Sequence, residues 1–78
     1  MRPLSVIAEE IIRTWKHPYF AAVPYLSAML KVEKCSDTFW NDDGFKIVRY
    51  FLGNATRWRG ADARRIKTEL KQHLGETK

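Results

Sequence analysis

Cysteine is almost absent from this 78-residue chain, since Cys35 is the only one. A single thiol forms no internal disulfide and cannot by itself hold a zinc ion, so the composition favours a reducing, intracellular setting. Long apolar runs are missing too: Glu9 and Glu10 interrupt the apolar N-terminal stretch, and no run approaches the ~20 residues of a membrane span. We therefore expect a cytoplasmic protein with no signal peptide and no membrane partner.

Catalytic and metal-binding patterns are missing as well. His17 and His73 are the only histidines and form no HExxH-type pair, and the chain has no glycine-rich phosphate loop. Asp37, Asp42 and Asp43 lack the alternating spacing and the closing glutamate of a calcium loop. We expect no enzyme activity, no metal and no cofactor.

Aromatic residues are plentiful, with three tryptophans, three tyrosines and four phenylalanines. A chain this short buries only about 60–65% of its unfolded surface, and rings that each bury roughly 150–250 Å² compensate for that. We expect most of the rings in the core of a single domain that spans residues 1–78. For Trp58, and for the pair Phe39 and Trp40, the sequence does not decide between a core position and contact with a partner.

Helical periodicity runs through most of the chain and predicts three main helices. They cover about residues 3–16, 42–54 and 61–74. Pro24 leaves two alternatives for the segment between the first and second of these helices. The one we favour is a short turn over 18–22 followed by a helix with Pro24 in its first turn, and the other is one kinked helix. Residues 32–41 are predicted to be a loop. The expected fold is an all-α, single-domain bundle of three main helices plus a short extra helix.

Charge is distributed unevenly along the chain. Residues 1–44 carry five basic and six acidic side chains, a net charge of −1, whereas residues 45–78 carry nine basic and three acidic ones, a net charge of +6. A surface of one sign usually faces a partner of the opposite sign, so we expect an acidic partner.

Within the last predicted helix, basic side chains lie along one border of the apolar face and acidic ones along the other. The predicted partner-binding residues are Arg57, Trp58, Arg59, Arg64, Lys67 and Lys71, with the loop aromatics Phe39 and Trp40. If the partner is a nucleic acid, the cations would contact phosphates and Trp58 would stack on a base. The alternative is that the cations only solvate an exposed face and Trp58 fills the core.

Two segments resemble a group of short uncharacterised proteins encoded by bacteriophages, prophages and other mobile elements. They are VPYLSAM, from Val23 to Met29, and YFLGNATRWRGADARRIKTEL, from Tyr50 to Leu70. The resemblance covers most of residues 4–74. It implies a phage origin and a bacterial cytoplasm, and it implies no functional residues because the group has no established activity.

Small non-enzymatic phage proteins often act by occluding a host macromolecule. The leading hypothesis is a helical protein that binds stoichiometrically to an acidic host protein or nucleoprotein, with an anti-CRISPR-like inhibitor of a host defence complex as one form. The alternative is a phage regulatory protein that binds DNA or RNA directly through its basic C-terminal helix. A self-assembling structural accessory is a third hypothesis, and the oligomeric state is not predicted.

Overall fold

The computed structural model describes residues 2–39 and 41–75. Within those ranges the chain forms four α-helices, one 3-10 turn and one two-stranded antiparallel hairpin. In chain order they are α1 (Leu4–Thr14), the 3-10 turn (Phe20–Ala22), α2 (Val23–Met29), β1 (Thr38–Phe39), β2 (Asp42–Asp43), α3 (Gly44–Gly53) and α4 (Ala61–Leu74). The mostly helical prediction is confirmed, with α2 as the short extra helix. The sequence does not predict the hairpin, so a purely helical fold is wrong in that detail.

The first helix ends two residues earlier than predicted. Trp15 leaves α1 with an extended backbone, at φ −100° and ψ 93°, and its ring packs against the core. Four side chains of α1 at helical spacing are fully buried: Leu4, Ile7, Ala8 and Ile11. The periodicity predicts these four together with Trp15, which lies beyond the end of the helix.

Pro24 lies in the first turn of α2, directly after the 3-10 turn. The favoured one of the two alternatives is therefore confirmed. Proline is tolerated there because the first turn of a helix leaves its backbone N–H groups without intrahelical acceptors.

The predicted loop over residues 32–41 contains β1, which pairs with β2 in the register Thr38↔Asp43 and Phe39↔Asp42. Strands of two residues are too short to show an alternating apolar pattern, which is why the sequence does not reveal them. The Asp43 carboxylate then accepts a hydrogen bond of 2.8 Å from the backbone N–H of Lys46. Asp43 thus caps α3, which begins at Gly44 rather than at residue 42.

The turn over residues 33–37 packs directly on the start of α3. The backbone N–H of Gly44 donates to the carbonyl oxygen of Asp37 at 2.8 Å, and that of Phe45 donates to the carbonyl oxygen of Cys35 at 3.2 Å. A Cβ atom on Gly44 would lie only 2.6 Å from the Cα of Cys35. The close approach of the two backbones therefore requires glycine at this position.

The hydrophobic core lies between the helices, where α2 packs against α1 and α3, and α4 also packs against α1 and α3. The buried residues of α4 are the four that the sequence predicts: Ala63, Ile66, Leu70 and Leu74. For α3 the helical spacing of the sequence predicts an apolar stripe of Phe45, Val48, Phe51, Leu52 and Ala55. That prediction is only partly right, because Phe45 is exposed and Ile47 is buried. Burial of α4 on its apolar stripe leaves both of its borders at the surface, which positions the candidate site.

Candidate partner-binding surface

Four basic side chains gather along one border of α4, and we call them the basic face. They are Arg59, which precedes α4, and Arg64, Lys67 and Lys71 within it. Positions 64, 67 and 71 are three and four residues apart and therefore share one side of a helix. Arg59, Arg64 and Lys71 are exposed, and Lys67 is half-buried. Arg57, also predicted, is exposed two residues before Arg59 and lies outside the pocket lining described below.

The opposite border of α4 is neutralised by ion pairs. The Arg65 guanidinium donates to Glu10 at 2.6 Å and lies 3.3 Å from Asp62. Arg2 forms a two-pronged pair with Glu69 at 2.9 and 2.7 Å and also contacts Glu10 at 2.7 Å. Hydrogen bonds from Arg65 and then Arg2 lower the pKa of Glu10 to about 2.

The basic face has no such partners. Across residues 2–39 and 41–75, no carboxylate forms an ion pair with any of its four side chains. The positive charge on this border is therefore not compensated within the described part of the molecule.

Trp58 belongs to the core, with only 5% of its surface exposed. One face of its indole stacks on Trp15, with ring centroids 5.3 Å apart and 13° between the planes, and Phe51 meets it edge-on at 6.4 Å. A ring held in this way has no free face to offer a base. The sequence leaves a core position and a partner contact open for Trp58, and the structure shows the core position. Its ring therefore cannot stack on a base as predicted.

Lys67 is anchored beside Trp58 rather than projecting freely. Its Nζ donates a hydrogen bond of 2.7 Å to the backbone carbonyl oxygen of Trp58 and lies 5.9 Å from the centroid of the Trp58 ring. Burial lowers the pKa of Lys67, and the positive charges of Lys71 and Arg59 lower it further. Like charges gathered on one side of α4 repel one another.

A pocket of about 260 Å³ lies at the start of α4, within the basic face. Its lining residues are Trp58, Arg59, Gly60, Ala63, Arg64 and Lys67. Gly60 and Ala63 are the small residues of this lining. Gly60 has a φ of +114°, a backbone conformation that favours glycine. The structure thus brings three of the predicted cations around one concavity.

The predicted aromatic pair in the loop is only partly located. Phe39 lies in β1, is half-buried and packs against the core. Trp40 lies outside the described residues. Phe39 therefore contributes to the edge of the core, and a contact with a partner stays a prediction for both.

Other aromatic side chains are more exposed than the sequence suggests. Phe20 is 77% exposed and Tyr19 is 44% exposed, and their rings meet edge-on at 4.9 Å. The sequence favours core positions for the rings of Tyr19, Phe20 and Tyr25, and this prediction is wrong for Tyr19 and Phe20. The signal that could have placed them outside is the short interval between Pro18 and Pro24, which leaves room only for one 3-10 turn.

The described residues contain no cluster of potential metal ligands. Among residues 2–39 and 41–75, no three His, Cys, Asp or Glu side chains converge on a common point. The thiol of Cys35 is buried, and this burial, helped by the charge of Asp43, raises its pKa and makes the reactive thiolate rarer. None of the helices in the same ranges is long and apolar enough to cross a membrane.

Comparison with known proteins identifies no relative of this chain. No protein-family model, no curated protein and no solved structure matches the chain. The expected phage origin therefore stays a prediction, and the function is inferred from the basic face.

Proposed function

We propose that this protein is a non-enzymatic binding protein that engages an acidic surface of a partner protein stoichiometrically, through the basic face. The main support is the contrast between the two borders of α4. Carboxylates neutralise Arg65 on one border, whereas the four cations on the other have no carboxylate partner among the described residues. Like charges held together raise the free energy of the unbound protein, and an acidic partner relieves that repulsion.

The chemistry of the basic face favours a protein over a single-stranded nucleic acid. Proteins that bind single strands stack bases on exposed aromatic rings, and the ring beside this face, Trp58, is buried. The guanidinium group of arginine can bind a carboxylate through two hydrogen bonds at once, as Arg2 does with Glu69 in this chain. Arg59 and Arg64 are free to do the same with acidic side chains of a partner.

The resemblance to phage-encoded proteins suggests a setting for this binding. The partner would be a component of a bacterial host cell, with a host defence complex as one case. A protein of this size would act there by covering a surface that the complex needs, in proportion to its concentration.

Binding is tested by fluorescence anisotropy with a labelled glutamate-rich peptide, a DNA duplex, a DNA single strand and an RNA, each at about 50 and 200 mM salt. We expect the acidic peptide to bind. If the duplex binds more tightly instead, contact between four cations and four phosphates gives a slope of about −3.6 in log affinity against log salt, or roughly a 150-fold loss over this range. That result would replace the protein partner with a nucleic acid.

A matched pair of triple variants identifies the surface. Reversing charge on the basic face (Arg59→Glu, Arg64→Glu and Lys71→Glu) is expected to weaken peptide binding at least tenfold. The control reverses three exposed cations elsewhere, Arg13, Lys16 and Lys31, so both proteins have the same net charge. Equal weakening in the two variants would show that only net charge matters, and the basic face would lose its role.

A further inference from the structure

The pocket within the basic face is chemically different from the rest of that face. Three cations, Arg59, Arg64 and Lys67, line a concavity of about 260 Å³, and no acidic side chain is among its lining residues. Asp62 lies in the same first turn of α4 but is 3.3 Å from Arg65, on the opposite border. None of the three cations that line the pocket is therefore paired with a carboxylate of the described residues.

Lys67 is already held in place for a ligand. One of the three hydrogens of its ammonium group is used by the carbonyl oxygen of Trp58, which leaves two for another acceptor. Because that hydrogen bond already restricts the long side chain of Lys67, this side chain loses less conformational entropy when a ligand binds. The carbonyl itself cannot move freely, since the Trp58 ring is stacked on Trp15.

We propose that this pocket binds one phosphate monoester, carried by a phosphorylated side chain of the partner protein. The proposal rests on the proposed function, because it assigns part of the acidic partner. A phosphorylated side chain carries a charge of about −1.5 to −2 and three strong acceptor oxygens. The guanidinium groups of Arg59 and Arg64 and the ammonium group of Lys67 can donate hydrogen bonds to those three oxygens. A carboxylate offers only two oxygens and a single charge.

The shape of the pocket favours a monoester over the diester backbone of a nucleic acid. A diester linkage carries one charge and repeats along its strand, so it needs a row of equivalent cations. Here three cations surround a single concavity, and Lys71 lies outside its lining. The small residues Gly60 and Ala63 leave the concavity open to one compact group.

The test compares three peptides of one acidic sequence on the full chain by isothermal titration calorimetry. One contains phosphoserine, one contains two glutamates that give the same total charge, and one contains serine. We expect the phosphoserine peptide to bind at least tenfold more tightly than the glutamate peptide. Equal binding of the two would overturn the phosphate pocket and leave the proposed function intact.

Variants separate the pocket from the rest of the basic face. Arg64→Gln and Lys67→Gln are each expected to abolish the preference for phosphoserine. Lys71→Gln is expected to weaken both peptides by a similar factor and to leave the preference unchanged. Loss of the preference in Lys71→Gln but not in Arg64→Gln would overturn the assignment.

Phenyl phosphate provides a test that does not depend on peptide binding. We expect it to shift the side-chain Nε–H resonances of Arg59 and Arg64 in ¹H–¹⁵N spectra at millimolar concentration, whereas benzoate at the same concentration shifts them less. If neither acidic peptide binds but phenyl phosphate shifts these resonances, the pocket stands and the proposed protein surface fails. No shift with phenyl phosphate would overturn the pocket.

Discussion

Trp15 and Trp58 stack with their indole planes 13° apart and their centroids separated by 5.3 Å. Phe51 meets both rings edge-on, at 6.1 Å from Trp15 and 6.4 Å from Trp58. Trp15 follows α1, Phe51 belongs to α3, and Trp58 lies in the segment that leads into α4. The three rings therefore join three parts of the fold, and one of them, Trp58, lines the pocket within the basic face.

Trp58→Ala is expected to destabilise the protein by about 3–5 kcal/mol, because it removes a buried aromatic ring and leaves a cavity. Urea denaturation followed by circular dichroism measures the change. Phe20→Ala is the matched control: its ring is 77% exposed, and we expect a change within about 0.5 kcal/mol. If Trp58→Ala does not fold, Trp58→Phe is used, with an expected loss of about 1–2 kcal/mol. A loss no larger than that of Phe20→Ala would contradict the core position of Trp58.

Gly44→Ala is expected to destabilise the protein by about 2 kcal/mol or more. The added Cβ would meet the backbone of Cys35 at 2.6 Å and the carbonyl oxygen of Lys34 at 2.8 Å, and neither can move without shifting the turn. Gly53→Ala is the control, because a Cβ there meets nothing within 4 Å, and alanine has a higher helix propensity than glycine at this last residue of α3. Thermal unfolding of the two variants should therefore shift in opposite directions, and a shift in the same direction would argue against the close approach.

Glu10→Gln is expected to lower stability by about 1 kcal/mol at pH 7, since it removes the negative charge shared by Arg65 and Arg2 and one of the two oxygens that accept from them. The pKa of Glu10 is about 2 in the folded protein, below its ordinary value of 4.5. Its contribution is therefore complete above pH 4.5 and is lost as the pH falls toward 2. The difference between the wild type and Glu10→Gln, measured by urea denaturation, should shrink between pH 4.5 and 2.

The control for this pH dependence is Glu9→Gln. Glu9 is exposed on the same helix and forms no ion pair within the described residues. We expect a change within about 0.5 kcal/mol at every pH. If both variants lose the same stability, the ion pairs of Glu10 with Arg65 and Arg2 contribute no more than general surface charge.

Asp43→Ala is expected to cost about 1 kcal/mol, because the Asp43 carboxylate caps α3 through the N–H of Lys46 at 2.8 Å. Asp42→Ala is the neighbouring control. Asp42 forms only an exposed pair with the Lys46 ammonium at 3.3 Å, and such pairs contribute about 0.5 kcal/mol or less. Guanidinium denaturation should rank the two losses in this order, and a larger loss at Asp42 would contradict the assignment of the cap.

The long helices could be predicted from the sequence because their apolar stripes repeat over several turns. In α4, the residues from Ala63 to Leu74 give four matches to the helical period, and the predicted range of 61–74 agrees with Ala61–Leu74. The hairpin could not be predicted, because two residues in β1 and two in β2 show no period. The hydrogen bonds that join the 33–37 turn to Gly44 and Phe45 leave no periodic signal in the sequence either.

The cations of the candidate site could be predicted from their spacing, but the role of Trp58 could not. Trp58 lies in a segment without periodicity, so the sequence leaves both a core and a surface position open. Its placement depends on Trp15, far earlier in the chain, whose backbone leaves α1 at an angle that no local signal shows. The anchoring of Lys67 on the Trp58 carbonyl follows from the same packing.

Arg2 ties the beginning of the described chain to its last helix. Its guanidinium binds Glu69, 67 positions away, and its carbonyl oxygen accepts a hydrogen bond of 2.7 Å from Nε2 of His73, 71 positions away. During synthesis these partners reach each other only after α4 has left the ribosome. Until then, α1 and α3 expose the apolar surfaces that Ile66 and Leu70 later cover. The domain is therefore expected to fold after translation of α4 rather than helix by helix, and a ribosome paused before α4 would carry an aggregation-prone chain.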